Sequence, residues 1–385
     1  MRENVIVNLS DLLLLGQGSD LASERGVSCD GQLPAASDPD LVARARAARK
    51  ALGSDVLILG HHYQRNEVIE FADITGDSFK LAQEAANQSS VENIIFCGVH
   101  FMAESADILT SDKQRVILPD LAAGCSMADM ATANQVAKCW SELQSIGVAK
   151  KVIPVTYMNS SAAIKSFTGE HGGTICTSSN AEAAMKWAFT QGEKILFLPD
   201  QHLGRNTAVL SLGLNLDDCV LWNPWKPMGG LTEEQIKKAK VILWRGHCSV
   251  HGRFSIDSVN EIRKRVEGVK VLVHPECTHE VVSAADQIGS TEKIIQIVKS
   301  SPAGSKWAIG TELNLVQRIS QTNPDKEIYF LYKDICYCST MNRIDLPHLV
   351  WAMESLVSGT VVNQIRVAPD VARYSKLALE RMLAL

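Results

Sequence analysis

Long apolar runs are missing from this chain. "DLLLL" at 11–15 is too short for a membrane span or for the apolar region of a signal peptide, and no basic segment of the usual kind precedes it. Positive charge is not in excess either. The 38 Lys and Arg face 43 Asp and Glu, for a net charge of −5, which argues against a general binder of nucleic acid or of membranes and leaves any anionic substrate to a local site. Cysteine is not dense: ten are scattered over 385 residues, which is no disulfide scaffold and suits a reduced, cytoplasmic compartment. An H-E-x-x-H element is absent, as is a G-x-G-x-x-G after a first strand. A zinc hydrolase and a Rossmann dehydrogenase therefore lose their usual signatures.

What is present is a chain long enough for two or three domains, with 46% hydrophobic residues. Residues 1–41, rich in Gly, Ser, Asp and Pro around "GQGSD" and "CDGQLPAASDPD" and carrying Cys29, form an expected flexible extension. Beyond it, apolar β-type runs alternate with helical patterns, the sequence form of α/β units, and the order repeats three times. The passes open on "VLILGHHYQ" (56–64), "VIPVTYMNS" (152–160) and "VLVHPE" (271–276). Each reaches hydroxyl residues where a second helix is predicted to begin: Ser78, Ser178, and Ser290 with Thr291. Hydroxyls there either cap the helix or, brought together, offer an anion site. Each pass closes on a strand followed by a thiol: Cys125, Cys248, and Cys336 with Cys338 beside it in "CYC". These spacings exclude loops that hold metal ligands a few residues apart, so any metal shared by these thiols must be assembled by the fold.

The ordered motifs "GHHYQ", "ADITGDS", "GVHFMAE", "AGCSMADM", "VTYMNSSA", "TSSNA", "PDQHLG", "GHCSVH", "HPEC", "GST", "GTE" and "CYCSTMN" resemble those of the quinolinate synthases of bacterial-type NAD biosynthesis, from about residue 42 to the C-terminus. The resemblance implies three similar αβα sandwich domains with small parallel sheets around a pseudo-threefold axis. The expected boundaries are 42–125 with 340–385, 126–248, and 249–339. It implies a [4Fe-4S] cluster held by one cysteine per domain. It also implies condensation of iminoaspartate with dihydroxyacetone phosphate to quinolinate, with loss of phosphate and two waters. The family's third ligand precedes an Asn by six residues, and Cys336 stands so before Asn342, which gives Cys125, Cys248 and Cys336 as the expected metal ligands.

By the same resemblance, Ser78, Ser178 and Thr291, with Tyr157 and Asn159, hold carboxylates or phosphate, and His61 bonds a substrate oxygen. His274 and Glu276, two apart, share one side of an extended strand and are an expected acid–base pair, with Tyr63 a further proton-transfer candidate. His62, Lys80, His100, Glu104, His202, Arg205, His247, His251 and Glu312 are placed in the surroundings. The expected partners are the two substrates and, transiently, the enzyme that supplies iminoaspartate, with no nucleic acid and no membrane.

Overall fold

The computed structural model describes residues 33–332 and 337–385. Most of the expected extension, Cys29 and Cys336 lie outside the described residues.

A strand covered by helices on both faces needs apolar residues at every position rather than at alternate ones. β1 (Val56–His61) is buried throughout. Parallel to it run β2 (Ile74–Gly76) and β3 (Asn93–Cys97), and β4 (Arg115–Ile117) pairs with β3. The second sheet holds β5 (Val152–Tyr157), β6 (Thr174–Cys176), β7 (Lys194–Leu198), β8 (Cys219–Trp222) and β9 (Val241–Trp244), all parallel. The third holds β10 (Lys270–Val273), β11 (Gln287–Ile288), β12 (Lys306–Gly310) and β13 (Glu327–Phe330). The chain is thus an α/β protein with several small parallel sheets flanked by helices.

The orders are β2-β1-β3-β4, β6-β5-β7-β9 and β11-β10-β12-β13. In each sheet the first strand lies inside, flanked by the second and third, so the three passes seen in the sequence share one topology. Two edge strands were not foreseen: β8, which extends the second sheet, and the antiparallel Gln364–Ile365, which pairs with β4. Both are short and only partly buried, so neither prints a clear apolar run. β4 and β7 stop shortly before Pro119 and Pro199, whose rings remove the ladder N–H.

The last segment ties the sheets together. The helix Leu346–Val357 packs on the helix Leu41–Leu52, and Glu354 receives both Arg44 Nε at 2.9 Å and Arg44 Nη2 at 2.6 Å. The final helix, Pro369–Leu383, lies instead on the helix Ala162–Glu170 beside the second sheet. Gly169 makes this approach possible, because a Cβ there would collide with the Tyr374 carbonyl. Ser375 Oγ donates to the Ala162 carbonyl at 2.9 Å across the same contact.

Candidate active site

Ligands of open α/β sheets bind beyond the carboxyl ends of the strands. Here the ends of β1, β5 and β10 deliver His61, Tyr157 and His274 to one cavity. Tyr63, Ser78, Asn159, Ser178, Glu276, Thr291, Cys125 and Cys248 line it too. The structure therefore brings together every sequence-predicted site residue that it describes. Cys338 lines the same cavity.

The helix starts explain why the hydroxyls face inward. Asp77, not Ser78, caps the helix Ser78–Asn87, accepting from the Phe79 and Lys80 amides at 3.1 and 2.9 Å. Ser290 caps the helix Thr291–Ser300, leaving Thr291 as its first residue. Ser178 stands three residues before the helix Ala181–Gln191, and its Oγ lies 3.2 Å from His274 Nε2. Ser78, Ser178 and Thr291 are thus not consumed as caps, which is the condition for serving a ligand. Ser179 Oγ donates to Asp77 at 2.9 Å and His62 Nε2 meets Glu292 at 3.1 Å, joining these helix starts across the sheets.

One side of the cavity is a hydrogen-bonded chain. Tyr157 OH donates to Glu276 Oε1 at 2.5 Å, and Glu276 Oε2 lies 2.9 Å from His251 Nδ1. His251 Nε2 is 3.3 Å from Thr311 Oγ1, which is 3.0 Å from Tyr63 OH, itself 3.0 Å from Thr291 Oγ1. His274 stacks on His251 with ring centroids 4.4 Å apart. Burial pushes the Glu276 carboxyl up, but the His251 and His274 rings and the bonds from His251 and Tyr157 outweigh it and hold it below the usual carboxylate range. Burial holds the imidazoles of His61 and His274 down to about 3, so both are neutral near pH 7. Burial, reinforced by Glu276, raises both phenols well above the ordinary tyrosine value.

Tyr63 reaches this chain from the first sheet because the third sheet's helix Leu313–Thr322 holds its loop. Asn314 Nδ2 donates to the Tyr63 carbonyl at 3.0 Å, and Arg318 Nη1 to that of Gln64 at 3.1 Å, while Arg318 Nη2 holds the His62 carbonyl. Sequence reasoning placed His251 in the surroundings and did not single out Thr311; the structure puts both within the chain. The short spacing of His251 from Cys248 was the available signal for the first, and nothing in "GTE" signalled the second.

The other side is sulfur. Cys125, Cys248 and Cys338 are near enough to disfavour one another's ionisation, and burial is the main force raising each thiol, with Cys125 pushed up to about 12. Each sulfur nonetheless accepts backbone N–H groups from the turn ahead of it: from Ala128 and Met127 at Cys125, from His251 at Cys248, and from Met341 and Thr340 at Cys338. N–H groups aimed at sulfur are what a metal-bound thiolate uses, and a cation supplies the charge that lets buried thiols ionise. The three thiols, one following each pass, are therefore a donor set suited to a metal cluster.

Asn342 bears directly on the third thiol. Its backbone N–H and its Nδ2 both donate to the Cys338 carbonyl, at 3.0 and 2.9 Å, so the Asn that pointed to Cys336 by spacing closes the turn of Cys338. Glu312 Oε1 accepts the Cys338 amide at 3.4 Å, and Asp200 accepts that of Cys248. Cys97, Cys139, Cys176 and Cys277 are buried and none lines the cavity. Cys248, His251 and Glu276 place ligand atoms within 4.8 Å of one another. However, His251 and Glu276 are bonded to each other and to Thr311 and Tyr157, so a zinc-type site would have to break that chain.

A model of the family described as quinolinate synthetase A protein matches residues 44–384. The quinolinate synthase of Streptomyces coelicolor is 69% identical over 376 residues, covering 97% of this chain and 95% of that protein. That of a Nocardioides species is 67% identical over 380 residues, covering 97% and 96%. That of Corynebacterium glutamicum is 55% identical over 349 residues, covering 91% and 88%.

Proposed function

The chain belongs to the quinolinate synthase family of NAD biosynthesis, and from that premise we propose that its cavity condenses iminoaspartate with dihydroxyacetone phosphate, with loss of phosphate and two waters. The observation that carries this reading is the convergence of three thiols, three uncommitted helix-start hydroxyls and an acid–base chain on one buried cavity. In this reading the three sheets are the cores of three αβα domains about a pseudo-threefold axis, with boundaries at 42–125 plus 340–385, 126–248 and 249–339.

Cys125, Cys248 and Cys338 would hold a [4Fe-4S] cluster. Among the described residues Cys338 is the third thiol that lines the cavity, in a turn that Asn342 fixes, and it is taken here in place of the expected Cys336, which lies outside those residues. A cluster held by three protein thiolates supplies one open iron, a Lewis acid at neutral pH.

The protein's own groups do the rest. Ser78, Ser178 and Thr291, at or near helix N-termini, would bind phosphate or carboxylate, with Asn159 and Tyr157 as further donors. His61 and His274, kept neutral by burial, can donate or accept one hydrogen bond at a substrate oxygen without contributing charge. Tyr63 and Glu276 would move protons, and the closed surroundings keep bulk water from an imine intermediate.

Iron, sulfide and Mössbauer analysis of anaerobically purified wild type beside Cys125→Ala, Cys248→Ala, Cys336→Ala and Cys338→Ala, with quinolinate assayed on each, tests this. The expected result is a cluster and activity lost in the Cys125, Cys248 and Cys338 variants and kept in the Cys336 variant. Loss with Cys336 but not with Cys338 would return the ligand to the position its spacing suggested. Zinc in place of iron would overturn the cofactor.

A further inference from the structure

Among the described residues no Lys or Arg lines the cavity, although three thiols and the carboxylates of Asp77 and Glu276 do. His61 and His274, neutral near pH 7, add no charge there. Fixed positive charge for the sulfur side has to come from behind the lining.

Lys165 is the Lys or Arg with no exposed surface among the described residues. It stands on the helix Ala162–Glu170, and its Nζ donates to the Ser160 carbonyl at 2.6 Å and to the Phe101 carbonyl at 3.3 Å. The same Nζ lies 5.3 Å from the centre of the Phe101 ring. Lys165 does not line the cavity, but Phe101 and Cys125 both do. The residue before Phe101 is tied to the sulfur loop, because the His100 amide donates at 2.8 Å to the carbonyl of Ala123, two residues before Cys125. The ammonium is thus buried next to the wall that carries the first thiol.

An ammonium taken out of water is costly unless opposite charge lies near it. Two carbonyls and an aromatic face offset part of that cost. A neutral amide could satisfy both carbonyls, so hydrogen bonding alone does not call for a charge here. Lys165 makes no ion pair with a carboxylate among the described residues. Burial lowers it to about 8, which leaves it charged near pH 7, and the charges that act against burial are Glu104 and then Cys125. Glu104 is partly committed elsewhere, its Oε2 accepting the Ala162 amide at 2.9 Å.

We propose that the buried ammonium of Lys165 is the fixed counter-charge of the sulfur side and sets the reduction potential of the cluster held there. The inference rests on the cluster reading proposed above. Potentials of such clusters follow the net charge and burial around them, and a charge in a medium of low dielectric acts more strongly than in water. A nearby cation makes a cluster easier to reduce and favours anionic oxygens at its open iron.

A mediated dithionite titration of the anaerobically purified protein, followed by EPR, reads the one-electron midpoint directly. Lys165→Met, unbranched and uncharged, is expected to hold the added electron about tenfold less tightly, a fall of about 59 mV. Lys165→Gln keeps donors for the carbonyls and should fall by the same amount. Lys165→Arg keeps the charge and should stay within about threefold of wild type, or about 28 mV. The charge is read a second time in a Glu104→Gln background, where Lys165→Met leaves no carboxylate without its cation and should again lower the midpoint about tenfold. Iron kept by the Arg protein but lost from the Met and Gln proteins would support the counter-charge through assembly. A Met midpoint within about twofold of its parent, or about 18 mV, in both backgrounds would overturn it, as would a Gln variant that matches wild type. Wild type purified without iron would overturn the cluster reading itself, a result distinct from either of these.

Discussion

The acid–base side and the sulfur side of the cavity handle burial in opposite ways. Tyr157, Glu276, His251, Thr311, Tyr63 and Thr291 satisfy one another, and the Glu276 charge is stabilised by its neighbours despite burial. Cys125, Cys248 and Cys338 are each raised chiefly by burial, and Glu276, the largest side-chain charge acting on Cys248, raises it further. Folding alone therefore completes the first side, since a satisfied network is rigid and specific. It leaves the second as three protonated thiols with N–H groups already aimed at them, a set that added positive charge would favour as thiolates.

The comparison breaks most visibly at Glu276. Glu276→Gln retains the size but not the charge or the acceptor pair, and should lower kcat by about 10³-fold with the iron content unchanged. Activity within about tenfold of wild type would mean that the chemistry does not use this side. Metal loading sharpens the other half. If the thiols hold the proposed cluster, chelation under anaerobic conditions should lower the thermal midpoint by several degrees, on the order of what a few kcal/mol of linked binding gives, because the unfolded chain would not hold it in that geometry. An unchanged midpoint would show that the sulfur side is complete without metal.

Much of this arrangement was legible in the sequence because parallel strands and helix starts leave local marks. β1, β5 and β10 print as apolar runs, and their polar ends, "HHY", "YMN" and "HPE", mark the cavity. What was not legible depends on contacts distant in sequence. In "CYCSTMN" the spacing to Asn342 points to Cys336, which lies outside the described residues, and nothing in that spacing tells where Cys338 sits. The bond from Asn342 to the Cys338 carbonyl and the acceptance of the Cys338 amide by Glu312 are facts of the fold. Thr311 is still harder to see, because its meaning comes from touching residues 60 and 248 positions away. The capping of two helices by Asp77 and Ser290 was hidden for a different reason: neighbouring Asp, Ser and Thr compete for one role, and only geometry says which is left over.

The smallest effect distinguishes the two sides by pH in the metal-free protein. His61 and His274 are held down to about 3 by burial, well under the unfolded value near 6.5. As pH falls through that window the unfolded chain takes up protons that the native state refuses. Stability is therefore complete above about pH 6.5 and declines below it, by up to about 1.4 kcal/mol per group per pH unit. Glu276, held below the usual carboxylate range, adds a further loss once pH falls under the unfolded carboxylate value. The thiols have the opposite sign. With folded values raised, the unfolded chain ionises first, so their contribution is complete below the unfolded thiol value, about pH 8.5, and is lost as pH rises above it. Urea midpoints from pH 5 to 10 should then show His274→Gln flattening only the acid limb and Cys338→Ala only the alkaline limb. A variant that flattened both would mean that the two sides of the cavity titrate as one, and that the division between them is not a division of function.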